Sequence, residues 1–297
     1  MNNSLIYIHK GYSWYVPLAL RNGRRFYGKD VHYIGDAYGC FVARMFGVRA
    51  HRLRHYRKAA DDFANVYRHH STLGYEFELF CIQRWFVLLE FLKKTKRDSC
   101  IYLDTDVLLT RNLSDLVRQT LHFGLTFTGY SAHVCFVNHV PALERLCTYI
   151  MSLYLNPANE ERLRARHEEM AIHYGGGGVS DMTMFWWMQK ERPDLIGDYP
   201  SIFGNSPIDV SMDDIRGLEV DGEGFKKLVW DGGQPSAVLT SGQQIPLVAL
   251  HHQGNAKKTM RISCRKIREA NSLFDKIQAM IESLVYFIWK GVQKIFS

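Results

Sequence analysis

The chain of 297 residues is expected to fold as an α/β protein with a mainly parallel central sheet, followed by a C-terminal amphipathic helix. Three observations carry this. Residues 5–8 (LIYI) form a strand-like run broken by a Gly turn, residues 14–26 (WYVPLALRNGRRF) have helical apolar spacing, and residues 30–36 (DVHYIGD) are strand-like again. Strand, helix, strand is how a parallel sheet opens, and ligands of such sheets gather beyond the carboxyl ends of the strands. A content of 46% apolar and 13% aromatic residues supplies a sizeable core, which argues against a disordered chain. Residues 271–297 place Leu273, Ile277, Ile281, Leu284, Ile288, Val292 and Ile295 on one helical face, with Asp275, Glu282, Lys290 and Lys294 on the other.

The remaining elements follow in order. Residues 75–94 (YEFELFCIQRWFVLLEFLKK) have the spacing of a helix with a wide buried face, and Arg84 lies within it. Residues 101–109, IYLDTDVLL, are expected to form a buried strand that carries Asp104 and Asp106 near its carboxyl end. Strands are then expected in 121–130 and 133–140, and a helix over 141–155. The GGGG run at 175–178 is read as a lid or acceptor loop leading to a helix over 179–191, capped by Ser180 or Asp181. Residues 198–245, rich in Gly, Pro, Asp and Ser, should be loops and small strands, and a last strand should end at His251 and His252.

The formal charge of +7 and pI near 9.0 favour polyanionic partners: nucleic acid, anionic lipid or nucleotide phosphates. Six cysteines without a C-x-x-C pair fit a reducing compartment, and the N-terminus lacks the pattern of a signal peptide or anchor, so a cytoplasmic location is expected. The basic run Arg49–Lys58, RAHRLRHYRK, is more simply a solvated face than a nucleic-acid site, and no nucleic-acid partner is expected. In the tail, Lys257, Lys258, Arg261, Arg265, Lys266 and Arg268 precede the amphipathic stretch, whose uncharged run is too short to span a bilayer. That pattern fits a helix lying on an anionic inner membrane face; its rival is a terminal helix docked on the protein or on a second subunit.

Two carboxylates two residues apart repel unless a cation or proton lies between them. A hard divalent cation, Mg2+ or Mn2+, accepts one or two carboxylates plus phosphate oxygens, so the spacing of Asp104 and Asp106 suggests a metal clamped to a nucleotide diphosphate. By spacing alone, a solvated strand end is an equal alternative.

The surroundings add a resemblance. YLDTDVLLTRNLSDL resembles the Asp-x-Asp segment of the GT-A (Rossmann-like) glycosyltransferases, and among them the metal-dependent retaining group that includes glycogenin and bacterial lipopolysaccharide galactosyltransferases. LIYIHKGYSWYVPLALRNGRRF with DVHYIGD is similar to the nucleotide-binding start, GGVSDMTMFWWMQKE to the segment whose Asp meets the donor sugar, and LHHQGNAKK to the late His-x-x-Gly-x-x-Lys segment. The resemblance spans residues 5–258 with gaps. It implies a catalytic domain over 1–255, with a nucleotide-sugar half at 1–127 and an acceptor half at 128–255, ahead of the basic tail 256–297.

It also implies roles. Asp104 and Asp106 would hold Mn2+ or Mg2+ with His251, or with His252 as the competing ligand, and Asp104 would lie near the ribose. Lys257 would contact the diphosphate and assist its departure. Asp181 would bind donor hydroxyls or sit near the reacting carbon, although as a helix N-cap it has a structural reading too. His9, Lys10 and Asp36 would shape the nucleotide pocket, and Arg84 would reach phosphates or base unless it simply pairs with Glu76 or Glu78.

Two departures bear on stereochemistry. The retaining relatives often carry Asp-Gln where this chain has Asp181-Met182, and their Asn-x-Gly-Val strand survives only loosely as SAHVCFVN. The resemblance thus implies transfer of a sugar, with retention preferred, from a nucleotide sugar, UDP-linked by family analogy, to a glycan or lipid-linked saccharide such as one in lipopolysaccharide synthesis. The alternatives are a nucleotidyltransferase and a non-catalytic nucleic-acid or membrane-binding protein. A homo-oligomer stays open.

Overall fold

The computed structural model describes residues 4–128, 131–199, 207–267 and Met280. Apart from Met280, the helix expected over 271–297 lies outside the described residues. In chain order the strands are β1 (Leu5–His9), β2 (Val31–Gly35), β3 (Arg49–Arg52), β4 (Cys100–Leu103), β5 (Val107–Leu109), β6 (Leu125–Thr128), β7 (Ser131–Val137), β8 (Ile196–Asp198), β9 (Leu228–Asp231), β10 (Gln234–Val238), β11 (Gln244–Pro246) and β12 (Ala249–His251). The helices are α1 (Val16–Tyr27), α2 (Ala37–Met45), α3 (Lys58–Ala64), α4 (Tyr75–Lys94), α5 (Ser114–Gln119), α6 (Val140–Leu155), α7 (Glu160–Tyr174), α8 (Asp181–Glu191) and α9 (Met260–Lys266).

Among the described residues the central sheet is seven-stranded, in the order β3-β2-β1-β4-β7-β6-β8, and mainly parallel. β1 pairs parallel with β2 from Leu5↔Val31 to His9↔Gly35, and β6 pairs parallel with β8 but antiparallel with β7. The chain divides into two compact units. The first comprises Met1–His51, Leu103–Asp115 and Phe203–Ser297; the second comprises Arg52–Tyr102 and Leu116–Ile202.

In the first unit, β1 and β2 are buried along their lengths, which explains their near-continuous apolar sequences. α1 starts with a proline in its first turn, where the missing N–H costs nothing. Gly23, midway along that helix, is required by close packing: a Cβ there would lie 2.6 Å from the Tyr7 hydroxyl and 2.8 Å from Leu5. Residues 256–267 also belong to this packing, since Ala256, Met260, Cys264 and Ile267 are buried. In the second unit, α4 covers the predicted residues 75–94, with Glu76 and Glu78 in its first turn and Lys93 and Lys94 in its last, matching the helix dipole. Among the described side chains of α7, Leu163 is the one fully buried apolar residue, so the helical period is masked in a highly charged sequence.

One expected element differs. Residues 101–109 do not form a single strand. β4 ends at Leu103, Asp104 to Asp106 make a turn closed by Val107 N–H donating to the Asp104 carbonyl at 3.2 Å, and β5 continues outside the central sheet. Two carboxylates on one side of a buried ladder would carry a large desolvation cost, and a turn relieves it by releasing them from the pleat. β5 pairs antiparallel with β12, register Val107↔His251 and Leu109↔Ala249.

The free edge of β5 is satisfied by a side chain. Asn22 of α1, itself buried, donates through Nδ2 to the Leu109 carbonyl at 2.8 Å and accepts the Leu109 N–H through Oδ1 at 2.7 Å. Replacing it by Leu strands both backbone groups away from water. We expect Asn22→Leu to lose about 2–4 kcal/mol of stability in urea denaturation, because each orphaned group costs about 1–3 kcal/mol.

Candidate functional site

The turn after β4 and the end of β12 together form a cluster in the first unit. One ligand atom each from Asp104, Asp106 and His251 lie within 4.8 Å of one another. The strand pairing explains the approach: Val107, directly after Asp106, faces His251 across the β5–β12 ladder. His251 is buried, and its Nδ1 donates to the Val210 carbonyl at 2.6 Å. Its Nε2 therefore faces the carboxylates, 3.6 Å from Asp106 Oδ1. A ring whose Nδ1 is committed to a carbonyl presents Nε2 as a metal ligand when neutral.

Lys257, in the 3-10 turn Gly254–Thr259, completes the charge balance, with Nζ 2.7 Å from Asp106 Oδ2 and 5.3 Å from the centroid of the Tyr15 ring. Burial acts to raise the Asp106 pKa, but the adjacent His251 and Lys257 outweigh it and hold the carboxyl well below the usual range. Burial acts to lower the His251 pKa, and the Asp106 and Asp104 carboxylates reverse that and push it up. His252 does not share this geometry. It is fully buried, its Nδ1 lies 3.0 Å from Thr259 Oγ1, and burial pushes its pKa down to about 4. Of the two candidates, His251 is the one placed with the aspartates.

The other sequence candidates in this unit divide by role. His9, at the end of β1, has Nδ1 3.0 Å from the Thr105 hydroxyl between the two aspartates, and burial pushes its pKa down to about 4. Its Nε2 is buried without a hydrogen-bond partner. Asp36 is occupied structurally: Oδ1 accepts from Gly39 N–H at 2.7 Å, capping α2, and Oδ2 accepts from Gly11 N–H at 2.8 Å. Gly11 has φ +83°, so the turn after β1 needs a glycine, and Asp36 ties that turn to the end of β2. Lys10 is exposed on the same turn.

Sequence reading did not single out Trp14 and Tyr15. Trp14 carries the Arg261 guanidinium 5.0 Å from its ring centroid and lines a cleft of about 710 Å3 with Phe225, Asp213, Glu223, Asn255 and Lys257. Their signal was present in the YSWY string but was absorbed into the predicted start of α1, which begins only at Val16.

Asp181 and Arg84 meet in the second unit. Asp181 opens α8; Ser180 is the cap, in a box with Thr183. Asp181 Oδ2 accepts from Arg84 Nη2 at 2.6 Å and from Trp85 Nε1 at 3.0 Å, and Oδ1 accepts from Met182 N–H at 3.0 Å. Arg84 pairs with Asp181 because α4 directs its buried face toward α8, and it also lies over the rings of Trp85 and Tyr102. The GGGG run is more tightly held than a lid loop would be. Thr72 N–H donates to the Gly177 carbonyl at 3.0 Å, Gly177 N–H donates to Thr72 Oγ1 at 2.7 Å, and Val179 N–H donates to the His70 carbonyl at 2.8 Å.

Glu78 is a buried neighbour of this group. Burial first, then the Asp181 charge, pushes its pKa from 4.5 up to about 7, against opposing effects of Ser71 and Arg84. A carboxyl with a raised folded pKa binds its proton more tightly in the native state, so stability falls as pH rises from about 4.5 to about 7 and is level above that. Glu78→Gln should remove this decline. Measured by urea denaturation at pH 5 and pH 8, wild type should lose about 1–3 kcal/mol more than the variant over that interval.

No family model and no curated protein matches the chain. Among solved structures it is similar to the galactosyltransferase LgtC in complex with donor and acceptor sugar analogues, at 12% identity over 91% of this chain and 97% of that one, TM-score 0.45. It is similar to mouse xyloside xylosyltransferase 1 at 12% identity, over 66% of this chain and 84% of that one, TM-score 0.46. It is also similar to the glycosyltransferase GlyE of Streptococcus pneumoniae TIGR4, at 10% identity over 96% of this chain and 63% of that one, TM-score 0.45. All three of these structural neighbours are glycosyltransferases, the class that the sequence motifs resemble.

Proposed function

We propose that the chain is a metal-dependent glycosyltransferase that moves a sugar from a nucleoside diphosphate sugar, UDP-linked by family analogy, to a saccharide acceptor. The observation that carries this reading is the convergence of Asp104, Asp106 and His251 within 4.8 Å, with Lys257 Nζ 2.7 Å from Asp106. Two carboxylate oxygens and an imidazole nitrogen fit Mn2+ or Mg2+ with open positions for phosphate and water. Bound there, the cation would neutralise charge that develops on the departing diphosphate.

The chain's own residues supply the rest. Lys257 is a fixed cation whose pKa is raised by Asp106 against the effect of burial, so it stays charged and can meet a phosphate oxygen that displaces part of its bond to Asp106. His9, neutral through burial, offers a hydrogen-bonding nitrogen with no internal partner to a polar ligand atom. Asp181 is held by Arg84 and Trp85 with its orientation defined, and a role for it in binding donor hydroxyls is assigned by family analogy. That assignment and the stereochemical preference for retention rest on the resemblance.

Nucleotide sugars with Mn2+ should raise the melting temperature of wild type, and EDTA or Asp106→Ala should abolish the increase. No increase with any nucleotide sugar would overturn the reading. Release of nucleoside diphosphate supports sugar transfer; release of pyrophosphate would indicate a nucleotidyltransferase instead.

We further propose that the tail holds the enzyme against an anionic membrane surface. Its support is the amphipathic sequence beyond Ile267, because residues 256–267, which carry most of the basic cluster, are packed into the first unit. A chain ending at Ile267 should keep its fold and lose most of its sedimentation with anionic liposomes; equal sedimentation would exclude the tail as the anchor. No helix among the described residues is long and apolar enough to cross a membrane.

A further inference from the structure

His251 is held by a segment that no sequence motif marked. Residues 208–212 run beside β12 and bond to it repeatedly: Asp209 N–H donates to the Ala249 carbonyl at 3.0 Å, and Met212 N–H donates to the His251 carbonyl at 2.9 Å. The same segment grips both donors of His251. The Asp209 carboxylate accepts the His251 backbone N–H through Oδ2 at 3.1 Å, and the next carbonyl, of Val210, accepts the ring Nδ1–H at 2.6 Å. Lys226 closes the arrangement. Its Nζ donates to Asp209 Oδ1 and, at 3.2 Å, to the Ser211 carbonyl, while its own N–H donates to the Met212 carbonyl at 2.9 Å.

The Lys226 and Asp209 side chains are 7% and 0% exposed. A buried ion pair is costly to desolvate, and apolar residues of similar volume commonly serve stability equally well. The pair lines a cleft of about 410 Å3 with the apolar residues Ile208, Leu218, Ala237 and Leu247 and with the charged residues Asp214 and Arg216. Stability therefore gives little account of why an ionic pair stands here, whereas the bonds described above converge on the segment that orients His251.

We propose that Asp209 and Lys226 are positioning residues for His251. They lock residues 209–211 so that the ring keeps its proton on Nδ1 and turns Nε2 toward Asp104 and Asp106. Without the lock, the Val210 carbonyl could drift, and the ring could rotate or change tautomer and present the wrong atom. Lys226 also neutralises Asp209, so a third carboxylate behind the cluster adds no net negative charge. This inference rests on the metal-site reading above, but its first test does not.

The double variant Asp209→Asn/Lys226→Met removes both charges together and avoids leaving one buried alone. In wild type without metal, at alkaline pH where the ring is neutral, long-range 15N–1H NMR should show His251 protonated on Nδ1. An Nε2-protonated ring in wild type would overturn the proposal whether or not the double variant folds. In the double variant, with its melting transition retained, the Nδ1–H form should give way to a tautomer mixture, and Mn2+ affinity measured by EPR titration should fall about 10–100-fold. An unchanged tautomer together with unchanged Mn2+ affinity would overturn it. If wild type binds no Mn2+ yet the tautomer is lost in the double variant, the metal-site reading fails and the positioning role stands.

Discussion

Two half-buried carboxylates at one turn need compensating charge within a few ångströms, and the antiparallel pairing of β5 with β12 delivers it. That short ladder puts His251 opposite the residue after Asp106, and the following 3-10 turn brings Lys257 to the other oxygen of the same carboxylate. The mutual effects are consistent in direction: His251 and Lys257 lower the Asp106 pKa, and the carboxylates raise those of His251 and Lys257. A site with this balance holds charged groups ready for a polyanionic ligand, where an uncompensated pair of aspartates would take up protons instead.

Much of the first unit serves this ladder. β5 lies outside the central sheet, so its second edge needs other partners, and Asn22 supplies a donor and an acceptor as a neighbouring strand would. Thr110, just beyond β5, is bonded to the Val248 and Leu247 carbonyls, which extends the pairing with the segment before β12. Asp36 fastens the turn after β1, next to His9, by accepting the Gly11 N–H while it caps α2 through the Gly39 N–H. In the second unit, by contrast, Asp181 is surrounded by donors, and its orientation is fixed by Arg84, Trp85 and the start of α8.

Strong local signals were legible. The period of residues 75–94 specified α4 because a wide apolar face recurs over many turns, and β1, α1 and β2 followed from apolar runs set between Gly and Asp turns. The short strands expected in 198–245 are present as β9 to β11. Where the signal was long-range, it was missed. α7 shows too few apolar positions to reveal a helical period, and IYLDTDVLL conceals a turn because its apolar residues belong to two different ladders. The glycine run looked free in sequence but is tied by backbone bonds to residues 70–72, partners about a hundred positions earlier.

For the site, the resemblance of the Asp-x-Asp segment and the late His-x-x-Gly-x-x-Lys segment to those of GT-A glycosyltransferases nominated Asp104, Asp106, His251 and Lys257 as one set, since each segment is written locally. Composition and periodicity likewise determined the α/β class. Only the tertiary structure decided which of two adjacent histidines faces the aspartates, because successive side chains along an extended segment point to opposite sides and the register with β5 selects the side. It alone brought Arg84 to Asp181, and it alone set Asp209 and Lys226 behind His251. Such choices depend on hydrogen-bond geometry between segments far apart in the chain, and no local pattern of residues encodes that geometry.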